Sequence, residues 1–294
     1  MAKNMNGIFT ALLTPFDKNN KVNESVLADL VKFNVEKGVD GFYVGGSTAE
    51  AFLLTTEERK QIMKVARDAA GDKALIAHIG CIGQDQAQDL ANYAKELGYD
   101  AISSVAPFYY KFSFEEIKGY YNRLADSVEL PMLVYHFPAF SGVNMGAGEI
   151  SQFLENDKFL GVKFTSNDFF ALEQIKSKFP NKIVYNGFDE MFLSGLSMGA
   201  DGGIGSTYNF MADKFVAIQK LFAENRISEA QEVQREANRI ITLLCKFGVM
   251  QAEKEVLNQL GIDFGECRKP FLSLNDEQKA IVANEIIPYV KGVN

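Results

Sequence analysis

The chain has 294 residues, 47% of them apolar and 23% charged, which is ample for a core and allows one large domain or two medium ones. With 30 Lys and Arg against 38 Asp and Glu, the net charge is −8 and the pI is near 5.0. That balance excludes a general nucleic-acid binder, which needs clustered basic residues, and gives no attraction to an anionic membrane surface. No apolar run approaches the ~18 residues of a membrane span, and the start MAKNMNGIF lacks the apolar core of a secretion signal. Three scattered cysteines (Cys81, Cys245, Cys267) suggest neither a disulfide framework nor a zinc knuckle, so a reduced, cytoplasmic protein is expected. Two histidines leave almost no material for His-based metal chemistry or a Ser-His triad. A catalyst built from this chain works mainly with Lys, Tyr, Ser, Thr and carboxylates.

In chain order, short apolar runs alternate with longer segments of helical period. Ile8–Leu13 reads as a strand, and Val26, Leu27, Leu30, Val31 and Val35 share one helical face. Strand Gly41–Val44 is followed by a helix with Ile62, Val65, Ala66 and Ala69, and strand Ala74–Ile79 by one with Ala87, Leu90, Ala91, Ala94 and Leu97. Strand Ala101–Val105 leads to a helix from about Phe114, and strand Met132–Tyr135 to a short helix near Glu149–Leu154. Strand Phe159–Lys163, helix Phe169–Lys178, strand Lys182–Tyr185, helix Glu190–Ser197 and strand Gly202–Gly205 complete the series. Thr55-Thr56-Glu57-Glu58 and Ser113-Phe114-Glu115-Glu116 have the spacing of capping boxes. Gly38, Gly71, Gly98 and Gly199 stand where helices must turn back into strands.

Eight βα units with little alternation inside the strands predict an α/β fold, a (β/α)₈ TIM barrel over residues 1–208. A doubly wound sheet is the rival, but the first strand ends in Leu13-Thr14-Pro15-Phe16 with no glycine-rich phosphate turn. Residues 209–294 read as C-terminal helices packed on the barrel as one structural unit. Ser228-x-x-Gln231 would cap a helix carrying Val233, Ala237, Ile240, Ile241 and Leu244, and Ile281–Val290 would form another.

In such a barrel the chemistry sits at the C-terminal ends of the strands. Lys73 and Lys182 begin strands and fall at the structural end, whereas Lys163 closes its strand. Desolvation there would lower its pKa and leave an amine able to form a Schiff base with a ketone or aldehyde; the alternative is a strand-end lysine reaching solvent or paired with an acid. Gly45-Gly46-Ser47-Thr48-Ala49-Glu50 could be a small anion nest suited to a carboxylate, or a simple turn. Tyr135, placed across the barrel from Lys163, could relay protons or be a core tyrosine. His136 would turn away from Tyr135, and His78 and Cys81 read as packing residues. Asn186-Gly187-Phe188-Asp189-Glu190 and Gly205-Ser206-Thr207-Tyr208-Asn209 suit a polyhydroxylated ligand, with helix capping the alternative for Asp189. Phe108-Tyr109-Tyr110 could pack the rim or reach a neighbouring subunit.

Taken together, Gly-Gly-Ser-Thr-x-Glu, Tyr-x-x-Pro-Ala, Gly-Val-Lys-x-Thr, Gly-Phe-Asp-Glu and Gly-Ser-Thr-Tyr-Asn give a specific combination. It resembles the N-acetylneuraminate lyase branch of the dihydrodipicolinate synthase superfamily over essentially the whole chain. The resemblance implies a homotetramer and a class I aldolase without metal or cofactor, cleaving N-acetylneuraminate (sialic acid) to pyruvate and N-acetylmannosamine. It further implies Lys163, Tyr135, Ser47 and Tyr110 as catalytic residues. Lys163 would form the imine, Tyr135 relay the proton of the C4 hydroxyl, and Tyr110 arrive from across a subunit interface. Ser47 and Thr48 would hold the carboxylate, and Thr165, Gly187, Asp189, Glu190 and Ser206 the hydroxyl-bearing portion. Ala49 departs from the glycine of many relatives, which the nest tolerates if its φ is negative. Dihydrodipicolinate synthase itself is the nearest rival, yet its arginine after Tyr-x-x-Pro-x is Phe140 here. An aldolase for another sugar acid is a second rival, and a non-catalytic sensing barrel would need the lysine or tyrosine lost.

Overall fold

A computed structural model describes residues 3–291. Eight strands form a closed, all-parallel barrel in sequence order: β1 (Gly7–Ala11), β2 (Gly41–Val44), β3 (Ala74–His78), β4 (Ala101–Val105), β5 (Met132–His136), β6 (Phe159–Phe164), β7 (Ile183–Asn186) and β8 (Gly202–Gly205), with β8 pairing back to β1. Between the strands run α1 (Glu24–Glu36), α2 (Thr56–Ala69), α3 (Gln84–Glu96), α4 (Phe114–Ser127), α5 (Pro138–Ser141), α6 (Ala147–Leu154), α7 (Phe169–Lys178) and α8 (Phe192–Ser197). The chain continues with α9 (Tyr208–Ala223), α10 (Ile227–Phe247), α11 (Val249–Gln259), α12 (Asp276–Ile281), a π turn over Val282–Ile286 and α13 (Ile287–Lys291). The expected (β/α)₈ barrel with C-terminal helices is therefore the fold.

Every strand position except Leu160 and Ile183 is buried, because both faces of the barrel wall are covered. Ile8, Phe42, Val44, Leu75, Ile102, Val134, Val162 and Val184 pack outward under the helices, while Phe9, Tyr43, Ile76, Leu133, Tyr135, Tyr185 and Ile204 fill the barrel. Alternation along each strand separates the two sets. Capping boxes at Thr55/Glu58 and Ser113/Glu116 start α2 and α4 as expected, and Gly38, Gly71, Gly98 and Gly199 all have positive φ.

The N-terminal end of the barrel is stitched by aspartates. Asp40, Asp100 and Asp201 stand before β2, β4 and β8, and each accepts the N–H of a residue in the preceding strand: Ile8, Leu75 and Val184 respectively. This end serves stability. Lys182 donates there to the Asn156 and Phe159 carbonyls, away from the reactive end.

Three local expectations need correction. The helix expected to start at a Ser228 cap begins two residues earlier, behind Arg226, whose guanidinium bonds Glu224 and Glu229; Ser228 lies inside its first turn. The helix expected over Glu190–Ser197 is a 3-10 turn, Asp189–Met191, that becomes α8 at Phe192. The last helical segment starts at Asp276, capped by Asn275, rather than at Ile281.

Candidate active site

Lys163 is buried at the C-terminal end of β6 with its side chain among aromatic rings. Its Nζ lies 4.2 Å from the Tyr135 ring centre and 4.6 Å from that of Tyr43. Burial lowers its pKa to about 7, and the negative charge of Asp189 opposes that fall. A buried amine that is half unprotonated at neutrality is a nucleophile. Tyr135 does not face it across the barrel: β5 and β6 are neighbours, and Tyr135 and Lys163 are register partners, so the side chains stand side by side. Burial raises the Tyr135 phenol well above its ordinary range, while the Ser47 hydroxyl beside it pulls it back. Thr165 Oγ1 itself is buried with no hydrogen-bond partner among the described residues.

His136 points outward as expected and stacks on Phe164. His78 is packed too, but it also holds the site. Its Nδ1 lies 2.9 Å from the Gly45 carbonyl, and its Nε2 accepts the Val105 N–H at 3.2 Å. Those partners require a neutral ring protonated at Nδ1, and burial beside Arg59 holds its pKa well below the ordinary value. Beneath it Arg59 is buried with no carboxylate partner among the described residues, donating to the carbonyls of His78 and Gly80 and to Cys81 Sγ.

The loop after β2 has the geometry of a short nest. Gly45 takes φ +76°, and a Cβ on Gly46 would press on the Tyr43 ring. Ser47–Ala49 form one 3-10 turn, closed by Ala49 N–H to the Gly46 carbonyl and Glu50 N–H to the Ser47 carbonyl. The first N–H groups of such a turn have no partner within it, which leaves those of Ser47 and Thr48, with their hydroxyls, for an anion. Ala49 is not among the positive-φ residues, so the glycine-to-alanine departure is harmless. Glu50 takes the left-handed conformation instead, at φ +58°. A buried ion pair at 2.6 Å to Lys254 of α11, and the Arg268 N–H on its other oxygen, hold it there. The C-terminal helices thus brace the loop from outside the barrel.

Thr165, Gly187, Asp189, Glu190 and Ser206 line one cavity of about 490 Å³ together with Ser47, Thr48, Tyr135 and Lys163. Gly187 and Gly205 are required by close approach: a Cβ on the first would overlap Thr165 Oγ1, and on the second the Asp189 carboxylate. Asp189 Oδ2 accepts from the Thr207 N–H and hydroxyl, at 2.9 and 2.7 Å, so one carboxylate oxygen braces the start of α9. Burial raises its pKa to about 6. The backbone that carries the two acids is clamped by α10. Gln234 donates to the Asp189 carbonyl and accepts from Leu193 N–H, and Asn238 donates to the Glu190 carbonyl.

A buried lysine titrating near neutrality beside a tyrosine, with a carboxylate-sized nest on one side and acids and hydroxyls on the other, is equipped for imine chemistry on a keto acid bearing hydroxyl groups. The dihydrodipicolinate synthetase family model matches residues 4–287. The chain belongs to that family. Within the family it is 46% identical to an N-acetylneuraminate lyase of Escherichia fergusonii over 92% of both chains. It is 42% identical to CdNal from Clostridium difficile, solved in complex with mannosamine, with a TM-score of 0.93 over 99% of this chain and 98% of that one. A catalytic lysine mutant of Ruminococcus gnavus sialic acid aldolase superposes with a TM-score of 0.94 at 28% identity, covering 99% and 98%.

Of the residues singled out in the sequence, nine meet in the cavity, and Tyr110 does not. Tyr110 is 63% exposed outside it, edge-on to Tyr109 and near Phe112. Sequence reasoning missed Tyr43, although alternation from Gly41 along β2 puts it inside the barrel. It also missed Glu253 of α11, a fully buried acid that accepts the Ser206 hydroxyl at 2.6 Å. Adjacent charges at Glu253 and Lys254, among the buried Ala252, Val256 and Leu257, were the available signal.

Proposed function

We infer that this protein is a class I aldolase that reversibly cleaves N-acetylneuraminate to pyruvate and N-acetylmannosamine. The observation that carries the reading is Lys163, an amine with a pKa of about 7 packed against Tyr135 in the cavity that also holds Ser47 and Thr48. In the cleavage direction the Lys163 amine adds to C2 of the open-chain sugar acid and expels water, giving a protonated imine, while Ser47 and Thr48 bind the C1 carboxylate. Tyr135 relays the proton of the C4 hydroxyl as the C3–C4 bond breaks: its phenol oxygen accepts that proton while its own hydrogen passes to the ligand carboxylate held at Ser47 and Thr48. The bonding pair moves into a C2–C3 enamine and neutralises the iminium nitrogen. The aldehyde, N-acetylmannosamine, leaves; a proton added at C3 restores the iminium, and water hydrolyses it to pyruvate and free Lys163. Thr165, Gly187, Asp189, Glu190 and Ser206 bind the hydroxyl-bearing portion.

Phe140 supports this reading over condensation with aspartate semialdehyde. It is exposed and stacked on Phe137 at 4.3 Å, and it offers no bidentate partner to a second carboxylate. The assembly we propose is a homotetramer in which the exposed Tyr110 of one subunit completes the proton relay of its neighbour. We place the protein in the cytoplasm; among the described residues no helix is long and apolar enough to cross a membrane. Pyruvate with borohydride tests the reading directly. The expected result is one reduced pyruvate adduct on Lys163, found by peptide mass spectrometry, with parallel loss of N-acetylneuraminate cleavage. An adduct on another lysine overturns it.

A further inference from the structure

Glu253 has no structural task that explains it. Its side chain is fully buried in α11, one carboxylate oxygen accepts the Ser206 hydroxyl at 2.6 Å, and the other has no hydrogen-bond partner among the described residues. Burial raises its pKa to about 8, and the nearby charge of Asp189 adds to the rise. Lys254, the next residue, spends its own charge on Glu50. An alkyl side chain would fill the same space without the cost of desolvating an acid. The one group the acid does engage belongs to a residue that lines the cavity beside Asp189 and Glu190.

We propose that Glu253 is a positioning residue that fixes the Ser206 hydroxyl as a hydrogen-bond acceptor toward the hydroxyl-bearing end of the substrate. A serine hydroxyl has one hydrogen and two lone pairs. With that hydrogen committed to Glu253, Ser206 meets a ligand only through its lone pairs, so the matching ligand group must donate. A sugar hydroxyl does so, and the chain from ligand O–H to Ser206 to Glu253 polarises each bond in turn. A carboxylate or carbonyl, which can only accept, finds no partner in Ser206. The wall therefore selects for a hydroxyl at that place. The inference rests on the aldolase reading above and adds to it a residue outside the barrel strands and their loops.

The test is a double-mutant cycle on Glu253→Leu and Ser206→Ala, with Glu253→Gln as the conservative variant. Glu253→Leu is expected to raise KM for N-acetylneuraminate on the order of tenfold with little change in kcat, the loss of one buried hydrogen bond. Glu253→Gln, whose amide oxygen accepts the same hydrogen, should restore KM to near the wild-type value. In the Ser206→Ala background, Glu253→Leu should add nothing further. Pyruvate labelling of Lys163 should be unchanged throughout, and the Leu variant should unfold at no lower temperature than the wild type. An unchanged KM, additive effects in the cycle, or lost pyruvate labelling would overturn the proposal while leaving the aldolase reading intact. A wild type that does not cleave N-acetylneuraminate overturns both.

Discussion

Replacing Lys163 by methionine should abolish cleavage and, at the same time, stabilise the fold. The lysine's pKa falls from the ordinary 10.5 to about 7 because the amine is buried. The unfolded chain therefore binds more protons between pH 7 and 10.5, and stability rises with pH across that window. At 1.36 kcal/mol per unit, the charged form costs the native state about 4 kcal/mol at pH 7. The rings of Tyr43 and Tyr135 return part of this, about 1 kcal/mol each. Methionine is close to lysine in volume and can occupy the same slot without opening a cavity. A net gain of roughly 2 kcal/mol remains, which for a domain of this size raises Tm by about 3 °C. Thermal unfolding of both proteins from pH 6 to 10 is the assay. The gap should be widest at and below pH 7 and close as pH approaches 10.5, where the unfolded lysine is also neutral. A methionine variant less stable at pH 7, or a gap that does not change with pH, would refute the assignment of a desolvated amine.

Tyr135→Phe should still form the pyruvate adduct on Lys163 but lose cleavage rate on the order of 10²–10⁴-fold; an unchanged kcat would return Tyr135 to a packing role. Asp189→Asn removes the charge that raises the Lys163 pKa, so the acid limb of pyruvate-imine formation should move below pH 7, as followed by borohydride trapping against pH. A limb that moves to higher pH contradicts the electrostatics. EDTA should leave turnover unchanged, because the imine, not a metal, is the electron sink.

The barrel was legible because parallel strands buried on both faces appear as short apolar runs, and Gly41–Val44, Ala101–Val105 and Gly202–Gly205 begin and end where the runs do. Lys163 stood out because position along a strand decides which end of the barrel a side chain reaches. Its relation to Tyr135 was misjudged, since strand order alone puts β5 beside β6 and the two residues in register. Tyr43 was passed over, and His78 read only as a packing residue, because the runs were read as uniformly packed, without following alternation to the interior. Nothing in a helical period could reveal the task of Glu253. Its face of α11 is set by partners about 50 and 200 residues away, Ser206 and the loop braced by Lys254, and such long-range pairing shows locally only as two adjacent charges.

The charge layout explains how one cavity can hold a keto acid in a single direction. At the Ser47–Thr48 end the donors are N–H groups and hydroxyls, and the acid that braces the loop, Glu50, is neutralised by Lys254 and turned into the protein. At the other end Asp189 and Glu190 line the cavity, and Lys163 is the one basic side chain among its described lining residues. A ligand carboxylate entering that end meets like charge, or a carboxyl whose pKa is raised by burial, and finds no arginine at position 140 to accept it. Sugar hydroxyls donate to those same oxygens at no electrostatic cost. On the aldolase reading proposed above, Asp189 and Glu190 would act twice: they would bind the polyol and disfavour a carboxylate at their end, which leaves it the nest beside Lys163. On that reading, the orientation of the substrate follows from where negative charge is tolerated.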